Sequence, residues 1–192
     1  LRMCTRIAHS QSIVEIGEPV KAERKPYIKD GGKYIMMPGN AKKRHPVVEE
    51  RMKKLSELAE KTDLNRMEMG GTDIGIITSG TSYQYVKEVF GDKVSVYKLG
   101  LVHPLPVESL REFASKVKKL YVVEELDGVI ETHCKANGID VIGKELFSNI
   151  GEFSQKTIAA AFGLQPQETY KISANDVRRM SPQGNVLCPG KE

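Results

Sequence analysis

The sequence predicts an α/β protein: a mainly parallel sheet with helices on both faces, preceded by the end of a different domain. Three observations carry this. From residue 74 onward, short apolar runs alternate with stretches of helical periodicity, the rhythm of strand–helix–strand units. "IGIITS" (74–79) is apolar without alternation, as a strand covered on both faces must be. Residues 17–34, in contrast, are polar and rich in Gly and Pro, and the region around them has too few apolar residues for a core of its own.

Taken in order, "RMCTRIAH" (2–9) alternates like a strand and "SIVEI" (12–16) is a second short strand candidate. "GEPVKAERKPYIKDGGKY" (17–34) reads as a long loop. "HPVVEERMKKLSELAEKTD" (45–63) is a helix, with Pro46 in the first turn, where a missing N–H costs nothing, and Glu49 and Glu50 near the positive end. Val48, Met52, Leu55 and Leu58 or Ala59 give it one apolar stripe. "LNRMEMGGTD" (64–73) is a linker.

After the strand at 74–79, "GTSYQYVKEVF" is a helix with Thr81 or Ser82 as N-cap. "KVSVYKL" (93–99) is a strand, "VESLREFASKV" (107–117) a helix and "KLYVVEE" (119–125) a strand. "DGVIETHCKANG" (127–138) is a helix stopped by Asn-Gly. "DVIGK" (140–144) is a fourth strand and "SQKTIAAAFG" (154–163) a last helix.

Of the 192 residues, 40% are hydrophobic and 28% charged, the mix of a soluble globular protein. No apolar run approaches the ~20 residues of a membrane span, and "LRMCTRIAHS" lacks the apolar core of a signal peptide. Three widely spaced cysteines, Cys4, Cys134 and Cys188, argue against a disulfide scaffold and for a cytoplasmic location. A start at Leu1 and a stop at "VLCPGKE" read as an excised segment of a longer chain. The net charge of +4 is uneven, with 15 Lys and Arg against 10 Asp and Glu in residues 1–69 and 10 against 12 in 70–165. The basic tracts "NAKKRH" and "RMKKL" are interleaved with Glu49, Glu50, Glu57 and Glu60, which favours a solvated helix over a nucleic-acid surface.

Six places invite a chemical reading. In "KLGLVHPLP" (98–106), His103 stands before Pro104, and a strand end in extended geometry explains it without chemistry. "TSGTS" (78–82) places Ser79, Gly80, Thr81 and Ser82 at a helix start that can receive an anion, yet neither dinucleotide nor P-loop glycine spacing is present. Glu124 and Glu125 end a strand at the edge where parallel sheets place ligands; acid–base work competes there with capping of the next helix, and capping is favoured. His133 and Cys134 lie about 100° apart around a helix and face different ways. Cys4 with His9, and Cys188 in "LCPG", lack ligand spacing. No residue is assigned a catalytic, cofactor-binding or metal-binding role.

The ordered set "TRIAHSQSIVE", "NAKKRH", "ITSGTSYQYVKEVF", "KLGLVHPLP", "LYVVEELDGVIE", "GKELF" and "VLCPG" resembles the alpha subunits of indolepyruvate:ferredoxin oxidoreductases, within the 2-oxoacid:ferredoxin oxidoreductase family. Residues 74–165 are similar to the transketolase C-terminal domain. The resemblance implies oxidative decarboxylation of an arylpyruvate with coenzyme A to an aryl-acetyl-CoA, electrons passing to ferredoxin. Thiamine diphosphate with magnesium would supply the carbon chemistry and iron–sulfur clusters the electron path. It implies residues 1–44 as the end of a pyrimidine-binding domain, 45–73 as helix and linker, 74–165 as the transketolase C-terminal-like domain, and 166–192 as a linker towards a diphosphate-binding domain. A beta subunit, ferredoxin and the remaining domains of its own chain would be its partners, with no nucleic acid and no membrane. The family's "CPGCPHR" would begin at Cys188, but Lys191 takes the place of its second cysteine. The segment is accordingly expected to be structural and inactive alone. Its rivals are another 2-oxoacid:ferredoxin oxidoreductase, or a stand-alone module binding an anion at "TSGTS" or nucleic acid on the basic helix.

Overall fold

A computed structural model describes residues 8–9, 11 and 13–165, in two compact units that divide between His45 and Pro46. The strand read over residues 2–9 lies outside the described residues except for Ala8 and His9, as do Cys4, Cys188 and the linker 166–192.

In the first unit, residues 13–29 form no helix or strand and carry Ile13, Val14, Ile16, Val20 and Tyr27 on the outside. "SIVEI" is therefore not a strand over its described residues 13–16. Alternation alone does not make a strand; a backbone without a ladder partner gains nothing from extended geometry. The loop read over 17–34 ends in a single turn, α1 (Gly31–Tyr34), where the Asp30 carboxylate accepts from Lys33 N at 3.0 Å.

Helix α2 runs Pro38–Lys61, seven residues longer at its start than the sequence reading. Pro38 takes the first helical position, so the missing-donor argument was right about proline and wrong about which one. Pro46 sits inside the helix. Met52, Leu55 and Ala59 form the inward stripe of its later turns, while Val48 and Leu58 are exposed.

The second unit is a four-stranded sheet of order β1-β3-β2-β4, made of β1 (Arg66–Glu68), β2 (Ile74–Ser79), β3 (Ser95–Leu99) and β4 (Lys119–Val123). β2 pairs in parallel with both β3 and β4, so the sheet is mainly parallel as expected. β1 is a correction: residues read as linker pair antiparallel to β3, Met67 opposite Tyr97. The fourth strand expected at 140–144 shrinks to one parallel bridge, Tyr121 to Ile142, with Val122 N donating to Ile142 O at 2.8 Å and Ile142 N to Leu120 O at 3.0 Å.

Helices α3 (Gly80–Phe90), α4 (Val107–Ser115), α5 (Val129–Ala136) and α6 (Gln155–Ala161) cover the sheet. Alternate strand residues feed two cores. Ile77, Tyr97, Leu99 and Val122 pack with Leu110 and Phe113 of α4 and Ile130 and Cys134 of α5. Ile76, Val96 and Val123 pack on the other side with Val86 and Phe90 of α3 and Ile158 of α6. Each such fully buried aliphatic stabilises by about 1.5–3 kcal/mol, which is why the middle of β2 is apolar and its polar residues, Thr78 and Ser79, come at its end. Gly75 interrupts that run for a steric reason: a Cβ there would stand 2.7 Å from Val117 Cγ2.

At the helix starts, one cap and one boundary differ from the sequence reading. Ser79, not Thr81 or Ser82, flanks α3, and α5 begins at Val129 rather than Asp127. α4 starts where expected, directly behind Pro106, and ends two residues early. α6 is capped by Ser154, whose hydroxyl accepts from Thr157 N.

Candidate functional site

The chain leaves β2 through α3 to β3 on one side, then returns over β2 through α4 to β4 on the other. Such a reversal opens a crevice beyond the carboxyl ends of β2 and β4, where parallel sheets hold their ligands. "TSGTS" and "EELDG" are the two loops that meet there.

Thr78, buried at the end of β2, ties the loops together by donating its hydroxyl to Val123 O at 2.9 Å. Ser79 is extended, and Gly80 turns the chain into α3 at φ +56°, a conformation that favours glycine. Among the described residues, the Ser79 side chain makes no capping bond to α3.

The opposite wall is filled by the chain's own carboxylates. Glu124 is buried, and its two oxygens accept from Ile130 N at 2.8 Å and Glu131 N at 2.9 Å, the first turn of α5. A charge placed on a helix N-terminus in this bidentate way does what a bound phosphate would do. Glu125 Oε1 accepts from Phe153 N at 2.8 Å and pins the following loop over the edge. Lys144 donates to Glu124 O at 2.6 Å and lies over the Phe153 ring. Behind them, Glu131 accepts from Lys144 N at 2.7 Å and Lys135 Nζ at 2.6 Å. Burial raises the Glu131 pKa, but the Lys135 ammonium and the Lys144 N–H outweigh it and hold the carboxyl below its ordinary value. The favoured sequence reading of Glu124 as a cap is what the geometry shows; the acid–base reading loses both oxygens to backbone donors.

The remaining candidates separate. Cys134 is buried, and burial, followed by the charges of Glu124 and Glu131, pushes its thiol up to about 12. At neutral pH the buried thiol is held protonated, which does not suit a nucleophile. His133 points outward from the same helix, as their angular separation required. His103 does not end a strand: β3 stops at Leu99, and His103 is exposed within the following loop, across a cis peptide bond to Pro104. Its ring lies 5.9 Å from that of His133, nearly perpendicular to it. The sequence reading placed no partner near His103; only the crossover that brings the 100–106 loop beside α5 reveals one. Among the described residues, no group of three or more His, Cys, Asp and Glu is arranged to hold a metal ion.

Thiamine diphosphate with magnesium needs backbone donors and carboxylates left open to receive it. At this edge the donors of α5 are held by Glu124, and Glu125 is held by Phe153 N. The α5 side of this edge does not fit that group.

No protein-family model matches the chain. The mainly parallel α/β fold has a counterpart among solved structures. The solved 2-oxoglutarate:ferredoxin oxidoreductase from Magnetococcus marinus superimposes with a TM-score of 0.50 at 24% identity, over 67% of this chain and 23% of its own. By sequence, the chain is a relative of the indolepyruvate oxidoreductase subunit IorA, as the ordered segments implied. It is 31% identical to that subunit from Archaeoglobus fulgidus over 99% of this chain. The corresponding identities are 32% over 99% for Methanothermobacter marburgensis and 29% over 98% for Thermococcus kodakarensis. The chain spans about a third of these curated relatives, 33% in each case.

Proposed function

We propose that the chain is a segment of a thiamine-dependent arylpyruvate:ferredoxin oxidoreductase and contributes structure rather than chemistry to it. The observation that carries this is the continuous likeness to IorA, which runs across nearly all 192 residues. The self-capped edge supports the second half of the statement, because the α5 N-terminal donors that an anionic cofactor would use are already taken by Glu124. In this reading residues 1–44 end a pyrimidine-binding domain, 45–73 connect it, and 74–165 brace the thiamine domains and the beta subunit from the side. Ferredoxin takes the electrons, and the complex works in the cytoplasm; no helix among the described residues is long and apolar enough to cross a membrane.

The substrate follows from the curated relatives, whose name specifies indolepyruvate. A second reading, another 2-oxoacid, is favoured by the structural likeness to an enzyme named for 2-oxoglutarate. The full-length subunit assembled with its partner decides between them. Reduction of ferredoxin with indolepyruvate and coenzyme A, at a kcat/KM at least about tenfold above that for 2-oxoglutarate or pyruvate, is the expected result. A preference for either aliphatic acid would replace the aryl specificity, and reduction with none of the three would remove the enzyme reading.

A further inference from the structure

We propose that the groove between α4, the start of β4 and residues 138–142 binds a small organic anion, a sulfonate, carboxylate or phosphate joined to an apolar body. The groove lies at the amino end of the strands, away from the edge that Glu124 and Glu125 close, and it does not depend on the oxidoreductase reading. It arises because β4 and the 139–142 run share a single bridge at Tyr121 and Ile142. Before that bridge the two backbones part, and α4 roofs the gap. The resulting cavity is about 440 Å³, within the range of roughly 300–1,000 Å³ that small-molecule sites occupy.

Its floor is apolar. Leu120, Ile139 and Val141 belong to the buried core, and Ala114 leaves space where a larger side chain would fill it. Its rim is basic: Arg111, Lys118 and Lys119 stand against Asp140. Arg111 is oriented by donating to Asn137 O at 2.9 Å and pairs with Glu108 at 2.6 Å; Lys118 pairs with Asp73 at 2.7 Å. Both pairs are largely exposed, so they are weakly held and can turn to a ligand. Among the described residues, no ion pair engages Lys119. An apolar floor with cations on its rim selects an amphiphilic anion; a bare ion would leave the floor unused, and a neutral hydrocarbon would leave the rim unused.

The test uses the 192-residue chain with 8-anilinonaphthalene-1-sulfonate as anion and N-phenyl-1-naphthylamine as its uncharged counterpart. Amide shift changes on titration should centre on Leu120 and residues 138–142. The paired variant Lys118→Glu with Lys119→Glu should weaken the sulfonate about tenfold, the size of one lost charge-assisted hydrogen bond. The same variant should leave the neutral probe within about twofold, and Ala114→Phe should weaken both. The charge variants lie on the surface and test the proposal even where Ala114→Phe does not fold. Unchanged sulfonate affinity in the paired variant would overturn it. So would shifts centred on residues 13–37, where many apolar side chains are already exposed.

Discussion

Glu124 holds two backbone donors at the start of α5 from within a buried site, so its loss leaves both without a partner. Glu124→Ala should cost about 1–3 kcal/mol, whereas Glu124→Gln, which keeps one acceptor, should cost about half of that. Urea unfolding with an unchanged m-value measures the difference. Its neighbour Glu131 sets a pH dependence. The folded carboxyl lies below its ordinary value of 4.5, so its contribution is fully present above that pH and is lost as pH falls through the lower folded value. Between pH 6 and 3, approximately, Glu131→Gln should therefore lose less stability than the parent, a comparison of melting temperatures across that range. His103 makes the opposite case. It is exposed, with the His133 ring as its aromatic neighbour. His103→Gln should leave turnover of the full-length enzyme within about twofold, since a lost general acid or base costs ~10²–10⁴-fold. A hundredfold fall at constant melting temperature would make His103 chemical.

At the scale of elements, α4 shows how a helix start is capped from elsewhere. Pro106 precedes it and has no side-chain oxygen to offer. Glu60, at the end of α2, supplies them instead, accepting from Glu108 N and Ser109 N at 3.0 Å each and from the Ser109 hydroxyl at 2.6 Å. Glu60→Ala should cost about 1–2 kcal/mol, in the range of a lost N-cap, and should speed hydrogen exchange in the first turn of α4 more than in β2. These contacts mark the boundary of what a sequence can tell. β2, α3, β3, α4 and β4 were legible because each carries its own pattern, an apolar run or a stripe at helical spacing. β1 was not, because "RME" has no pattern; its pairing comes from the edge of β3, and Glu68 is held by Tyr83 Oη at 2.8 Å and Lys87 Nζ at 3.5 Å from α3. The 140–144 run was over-read for the same reason in reverse: apolar residues that the core needs, Val141 among them, do not oblige the backbone to pair. At the site, Glu124 could be read as a cap from its place after a strand and before a helix. The meeting of His103 with His133 could not, since it depends on where two separate crossovers land.

At the scale of the whole molecule, the two units divide the apolar residues unequally. The second buries two cores around one sheet, whereas none of the described residues from 8 to 45 is buried. That contrast is physical support for treating the first as part of a domain completed by other polypeptide, and the second as a brace able to fold around its own sheet. The central claim is that this stretch contributes architecture to a thiamine enzyme without holding the cofactor. Calorimetric titration of thiamine diphosphate with magnesium into the 192-residue chain tests it most directly. The account predicts no binding tighter than about 1 mM, because the carboxyl edge is already occupied by Glu124 and Glu125. Stoichiometric binding with a dissociation constant in the micromolar range would contradict it.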